Sequence, residues 1–292
     1  MSKAKVPTIS EHDIIRYYDL TEEHMRRFWK LDEAMGLHYG IWDSSIKSLA
    51  ESIVNTNKIM VEMAGIKKGA KVLDAGCGVG GSSIYMAKEV GAHCTGITLS
   101  EKQVESAQQY AEKNGVSDRA NFEVNNYFDT KYPEASFDFA WALESMGTAS
   151  DKSLVLKELY RVLKPGGKLV ICDWYKSHDY PVSKYKSMQN MLYHWMISDL
   201  LTPQMQKDLA KECSFEIVAH QEFTKEIKKS VNWIYALALL GMIGTKAYQL
   251  THTKVTSYSK NHYKTGLGQF HAYRKGLWEH HIWVLQKPES SK

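Results

Sequence analysis

Four glycines within ten residues, in Val72-Leu73-Asp74-Ala75-Gly76-Cys77-Gly78-Val79-Gly80-Gly81, mark the stretch of this sequence with the plainest chemistry. Glycines directly after an apolar, β-branched run permit a tight turn and a close approach of a ligand to the backbone. A helix starting there adds free N–H groups. Alone, such a turn fits a dinucleotide site, another nucleotide-like ligand or a purely structural bend. Two further residues have the chemistry of proton transfer: Glu144, just past the apolar run Phe137–Leu143, and His38, in His38-Tyr39-Gly40-Ile41-Trp42-Asp43. A carboxyl among aromatic side chains has a raised pKa and suits the acceptance of a proton late in a reaction. The plainer alternatives are a Glu that only hydrogen-bonds a neighbouring segment and a core histidine. Cys77, Cys94, Cys172 and Cys213 are far apart with no CxxC pairing, so they read as reduced, mostly buried thiols, and no metal is assigned.

The elements that must position these residues follow from periodicity. Apolar β-branched runs at Lys71–Ala75, His93–Thr98, Ala120–Val124, Phe137–Leu143 and Lys168–Trp174 alternate with amphipathic stretches at Gly80–Val90, Glu101–Asn114 and Asp151–Leu163. That alternation predicts βαβ units on a parallel sheet. Ser100 is placed to cap a helix that Gly115 ends, and Pro165-Gly166-Gly167 to stop another. Further helices are expected at Ser183–Asp199, Pro203–Cys213 and Trp233–Tyr248, with strands at Phe215–Ala219 and Glu279–Gln286. Ahead of the sheet, Ile14–Trp29 and Leu49–Met63 read as helices.

The 292 residues suffice for one large α/β domain with a cap. Basic and acidic side chains, 37 against 33, are scattered without a single-sign block, which argues against a nucleic-acid partner. The first residues lack a secretory pattern, and the longest apolar stretch, Val231–Gly244, is shorter than the ~20 residues of a membrane span. A cytoplasmic location is expected, with peripheral membrane contact and homo-oligomerisation left open.

Four stretches together carry a family likeness: the glycine loop, Gly96-Ile97-Thr98-Leu99-Ser100-x-x-Gln103, Ser136-Phe137-Asp138-Phe139-Ala140, and Glu158 through Lys168. Over roughly residues 60 to 222 the chain resembles class I S-adenosylmethionine-dependent methyltransferases, in particular the tocopherol, sterol and cyclopropane-fatty-acid-synthase-like small-molecule group. The resemblance implies a Rossmann-like, seven-stranded, mostly parallel sheet with helices on both faces. It also implies a helical N-terminal cap (residues 1–65), a cofactor domain (66–292) and lid insertions at about 177–205 and 225–275. It places Gly76, Cys77 and Gly78 under the methionine and ribose of S-adenosyl-L-methionine, with Asp74 ordering the loop. Many relatives end the second strand with an acidic residue for the ribose hydroxyls, where this chain has Thr98. Thr98 and Gln103 are expected to share that contact, and Leu99 and Leu143 to lie beside the cofactor. Asn126, with Asn125 next to it, replaces the usual adenine-binding Asp, and Tyr127 or Phe128 sits beside the ring; a plain turn Asn is the alternative. Tyr18 and Tyr39, in two stretches similar to the family's cap segments, are expected over the methionine end.

Methyl transfer from a sulfonium requires alignment and exclusion of water. By the same resemblance Glu144 is the catalytic acid/base and His38 or Trp42 borders the acceptor, with Trp195, Trp233 and Tyr235 supplying aromatic faces that could hold a cation. The apolar Trp233–Gly244 segment suggests a lipophilic pocket or an interfacial or dimer helix. Lys225, Lys228 and Lys229 before it fit an anionic head group or a solvated basic turn. The leading expectation is C-methylation of an isoprenoid, sterol-like or prenylated compound. N- or O-methylation of a small polar or aromatic metabolite comes second, and a non-catalytic cofactor-binding assembly protein is the reading from another class.

Overall fold

The computed structural model describes residues 10–28, 31–197, 199–251 and 257–289. Helix α1 (Glu11–Phe28) and the short α2 (Leu31–Ala34) precede α3 (Leu49–Ala64). Local chemistry closes both ends of α3: Ser48 Oγ accepts the Glu51 N–H, and Gly65 takes a left-handed φ of 74°. Strand β1 (Lys71–Ala75) runs through the glycine turn into α4 (Gly81–Tyr85), which widens into a π turn over Met86–Val90. Then come β2 (His93–Thr98), α5 (Glu101–Lys113), β3 (Ala120–Val124), β4 (Phe137–Leu143), α6 (Lys152–Val162) and β5 (Leu163–Lys176). The chain continues through α7 (Lys186–Tyr193), α8 (Pro203–Glu212), β6 (Glu216–Glu222), α9 (Lys228–Thr251), α10 (Ser257–Arg274) and β7 (Trp278–Gln286).

The seven strands lie in the order β3-β2-β1-β4-β5-β7-β6, and β7 alone among them runs antiparallel to its neighbours. Successive strand residues point to opposite faces. Val72, Trp141, Val170 and Val284 accordingly pack with Ile53, Met60 and Ala64 of α3, while Leu73, Ala140, Leu169 and Leu285 pack with Leu156, Leu159 and Val162 of α6. The seven-stranded, mostly parallel sheet with helices on both faces is the architecture expected from the sequence.

Three details differ from the sequence reading. Strand β5 starts at Leu163, because the Pro-Gly-Gly turn is absorbed as an irregularity between the pairs Phe137–Leu163 and Phe139–Lys168. Helix α7 ends at Tyr193, and Met196 adopts a left-handed φ of 57°, incompatible with a continuous helix to Asp199. Helix α10 has no counterpart in the sequence reading. Within the first 65 residues, α3 packs into the sheet layer, and α1 and the loop at 35–38 face the cavity described next. Helix α10 packs on both α7 and α9; Gly268 of α10 lies so near the α7 backbone that a Cβ there would be 2.6 Å from the Met191 nitrogen.

Candidate active site

A cavity of about 770 Å³ opens at the carboxyl ends of β1, β2 and β4, under α1, α9 and α10. Ligands of open α/β sheets bind beyond those strand ends. Gly76 and Gly78 line it with left-handed φ values of 89° and 54°. A Cβ on Gly78 would meet nothing within 4 Å, so the loop offers open backbone to a ligand. Behind it Asp74 is 2 % exposed and accepts a hydrogen bond from Ser83 Oγ (2.7 Å). Burial outweighs that bond and pushes its carboxyl up to about 7.

At the end of β2, Thr98 Oγ1 donates to Gln103 Oε1 (2.6 Å), and both residues line the cavity. The Ser100 hydroxyl accepts the Gln103 N–H and donates to Asp19 Oδ1 (2.6 Å), tying α5 to α1. With the Thr98 proton used internally, the pair is left with a hydroxyl oxygen as acceptor and an amide NH₂ as donor. A ribose diol can answer both. Leu99, Cys77, Tyr127 and Leu143 line the same wall.

Asn125 and Asn126 line the cavity as well, yet each has protein partners. Asn125 Nδ2 donates to Glu123 Oε1 (3.0 Å) and to the Thr130 carbonyl (2.9 Å). Asn126 Oδ1 accepts the Phe128 N–H (3.0 Å), and its amide donates to Glu11 Oε1 (2.7 Å). Asn126 is therefore first a brace between this loop and α1, keeping one lone pair of its oxygen for any ligand.

At the other end Glu144 follows β4 with a left-handed φ of 48°, a strained conformation for a non-glycine residue. Its Oε1 accepts the Tyr39 N–H (2.9 Å) and lies 2.9 Å from His280 Nε2. Burial raises the Glu144 carboxyl well above the usual carboxylate range and lowers His280 to about 4, so both favour their uncharged forms. His38 Nδ1 is 3.1 Å from the Tyr39 carbonyl. A carbonyl only accepts, so Nδ1 carries the hydrogen and Nε2 keeps its lone pair, buried and with no protein partner. Burial lowers His38 to about 4. The wall beyond is aromatic and apolar: Trp174 stacks on Trp195 at 4.8 Å, with Ile234, Leu237 and Ala238 of α9 alongside.

Several expectations are corrected in place. Tyr39 is fully buried behind the wall, its hydroxyl donating to Gln269 Oε1, and it reaches the site through its backbone. Trp42 donates its indole N–H to Ser230 Oγ (2.8 Å) away from the cavity. Tyr235 stacks on Phe270 at 3.9 Å, and Trp233 is 45 % exposed on the outer face of α9. The helical rotation decides this, because Ile234, Leu237, Ala238 and Gly241 take the inner face. The side chain of Tyr18 lies outside the described residues; its neighbour Tyr17 lines the cavity and stacks on His262 of α10. Sequence reasoning missed Tyr17, Trp174 and His280. His280 carried no local signal, since its partner Glu144 is 136 positions away in sequence.

A family model described as "Methyltransferase domain" matches residues 66–239. The chain belongs to the methyltransferase-domain family. This family member is 37% identical over 163 residues to the 27-O-demethylrifamycin SV methyltransferase of Amycolatopsis mediterranei, covering 56% of the chain and 58% of the relative. It is 28% identical over 239 residues to a sterol 24-C-methyltransferase of Aspergillus fumigatus, covering 81% of the chain and 61% of the relative. The matches thus span little more than half of these relatives' lengths. Among solved structures, the 4+2 cyclase SpnF superposes with a TM-score of 0.80 at 20% identity, covering 99% of this chain and 100% of that one, a likeness of fold.

Proposed function

We propose that the chain transfers a methyl group from S-adenosyl-L-methionine to an uncharged, lipophilic small molecule. The observation that carries this reading is one continuous cavity. It runs from the open glycine loop and the Thr98–Gln103 pair, past Glu144 and His38, to an aromatic and aliphatic wall. No Lys or Arg is among the residues lining it, so a phosphorylated or carboxylated acceptor would find no counter-charge there among the described residues.

When bound, the cofactor supplies an electrophilic methyl on a sulfonium. Gly76 and Gly78 would pass beneath its amino-acid and ribose portions, and Thr98 and Gln103 would meet the ribose. What the cofactor would supply is a methyl carbon open to in-line attack by the acceptor atom, with the S–CH₃ electron pair left on sulfur. In this reading the acceptor's proton is assigned to His38, which lines the cavity beside Glu144; burial raises the Glu144 carboxyl and so favours its neutral, hydrogen-bond-donating form. The preferred reading is transfer to carbon, because the stacked faces of Trp174 and Trp195 can hold the cation that follows attack by a π bond. Transfer to oxygen is the second reading, favoured by the unpartnered His38 base.

Methyl-labelled cofactor offered with prenyl and sterol-like compounds, phenols and amines tests both readings. Label on carbon of an organic-extractable product supports the first, and label on oxygen alone moves the assignment to the second. Labelling of amines alone overturns both. His38→Ala is expected to lower turnover by about 10²- to 10⁴-fold with cofactor affinity retained.

A further inference from the structure

We infer that Gly241 and Gly244 of α9 hold open an outer channel of the cavity, and that the acceptor carries a long apolar tail that lies against them. This rests on the reading above and adds the length of the acceptor. The two glycines determine specificity and take no part in the transfer.

Ile234, Leu237, Ala238, Gly241, Gly244 and Thr245 line the cavity along α9. From Ile234 to Gly244 the helix rises about 15 Å, at ~1.5 Å per residue. The inner end of this run is fastened beside His38 and Glu144. Ser230 Oγ, about one turn before Ile234, donates to the Gly40 carbonyl (2.9 Å), and the Trp42 N–H donates to the Glu226 carbonyl (3.1 Å). That loop also carries His38 and the Tyr39 N–H that meets Glu144. Gly244, exposed to solvent, is the outer end. Ile14 and Ile15 of α1 and Leu240 of α9 add apolar surface to the same cavity.

Nothing in the backbone asks for glycine at these two positions. Both lie inside α9, where glycine is disfavoured more than any residue but proline, and neither adopts a positive φ. Close helix packing explains Gly266, where a Cβ would stand 2.7 Å from the Ala238 Cβ. It does not explain Gly241, whose Cβ would come no nearer than 3.9 Å to the Tyr263 Cβ, nor Gly244, whose Cβ would meet nothing within 4 Å. Any larger side chain would fit both sites on the helix and would fill cavity instead. The space that the missing side chains leave is therefore room for the ligand, about 15 Å from the inner end. An apolar tail in that room removes Ile14, Ile15 and Leu240 from water, and its burial drives binding.

The test is calorimetric titration of the full chain, saturated with S-adenosylhomocysteine, with n-hexanol, n-nonanol and n-dodecanol, probes that differ in length alone. Wild-type affinity is expected to rise about three- to fourfold per added methylene along the series. Gly241→Leu should leave n-hexanol within about twofold of wild type and weaken n-dodecanol by about tenfold or more. Gly244→Leu should weaken n-dodecanol more than n-nonanol. Retained S-adenosylhomocysteine binding certifies the fold of each variant, and if Gly241→Leu loses it, Gly244→Leu decides alone. Wild-type binding that is absent or does not strengthen with length overturns the channel and leaves the methyltransferase reading standing. So do leucine variants that bind all three alcohols as wild type does or that weaken all three equally. A wild-type chain that does not bind S-adenosylhomocysteine overturns both.

Discussion

His38 and Asp74 share one cavity wall, and burial moves them in opposite directions: the imidazole falls to about 4 and the carboxyl climbs to about 7. A free histidine near 6.5 would lose half its base at that pH. With His38 held lower, turnover at saturating cofactor is expected to keep its base form down to about pH 5 and to lose it only towards pH 4. Of the groups facing it, Glu144 favours its uncharged form over that interval, and His280, also lowered to about 4, gains its proton together with His38 towards pH 4. An inflection near 6.5 that persists in Asp74→Asn would mean that burial does not hold the His38 imidazole down. Asp74 has its own signature in stability. Its folded value lies above the unfolded one, so between about pH 4 and 7 the native state binds more protons than the unfolded chain, and stability falls as pH rises. Asn does not titrate. The difference in thermal stability, Asp74→Asn minus wild type, should therefore grow in the variant's favour between pH 5 and pH 8, by roughly 2–3 kcal/mol. Asp173, pushed up to about 6, has the same sign but is common to both proteins and cancels. A pH-independent difference would mean that Asp74 is already ionised in the fold.

At the scale of elements, the strands were legible because their signal is local. Lys71–Ala75 and His93–Thr98 are short β-branched runs that end in turns, and any parallel sheet buries such runs on both faces. Helix α10 was not legible, and its glycines explain why. Thr265-Gly266-Leu267-Gly268 has the look of a loop, since glycine costs about 1 kcal/mol in a helix interior. The compensation is tertiary: Gly266 lets Ala238 and Ile234 of α9 approach, and Gly268 lets the α7 backbone approach. No local pattern announces a helix crossing made by missing side chains. The same limit applies to His280, whose partner Glu144 is 136 positions away in sequence, whereas Thr98 and Gln103 lie five positions apart, across one strand-to-helix turn, and could be read as a pair. Gly268→Ala should accordingly push α10 from α7, lower stability by about 1–3 kcal/mol in denaturant unfolding, and raise the acceptor KM more than that of the cofactor. An Ala variant as stable as wild type would show that the two helices can part without consequence.

For the whole molecule the question is what α9 faces on its outer side. Its inner face lines the cavity, while Trp233, Leu240 and Ile243 are 45 %, 63 % and 63 % exposed, and with Ala236 they recur every three or four residues along one stripe. Lys225, Lys228 and Lys229 are exposed at one end of the stripe and Lys246 at the other. Among the described residues no helix is long and apolar enough to cross a membrane. An apolar stripe between lysines matches an anionic lipid interface, with the side chains entering the acyl boundary and the ammonium groups at the head groups. A lipophilic acceptor would then reach the cavity beside Leu240 and Gly241, which line it, without passing through water. Co-sedimentation with phosphatidylcholine vesicles should be weak, and it should rise when phosphatidylglycerol is included and fall again with salt. Ile243→Asp, which leaves the cavity wall untouched, should reduce vesicle binding by about tenfold or more while S-adenosylhomocysteine binding stays as in wild type. If vesicles of either composition leave the protein in the supernatant, and it sediments as a dimer that Ile243→Asp dissociates, the stripe is instead a contact between two copies of the chain. The lipid route to the cavity would then be closed.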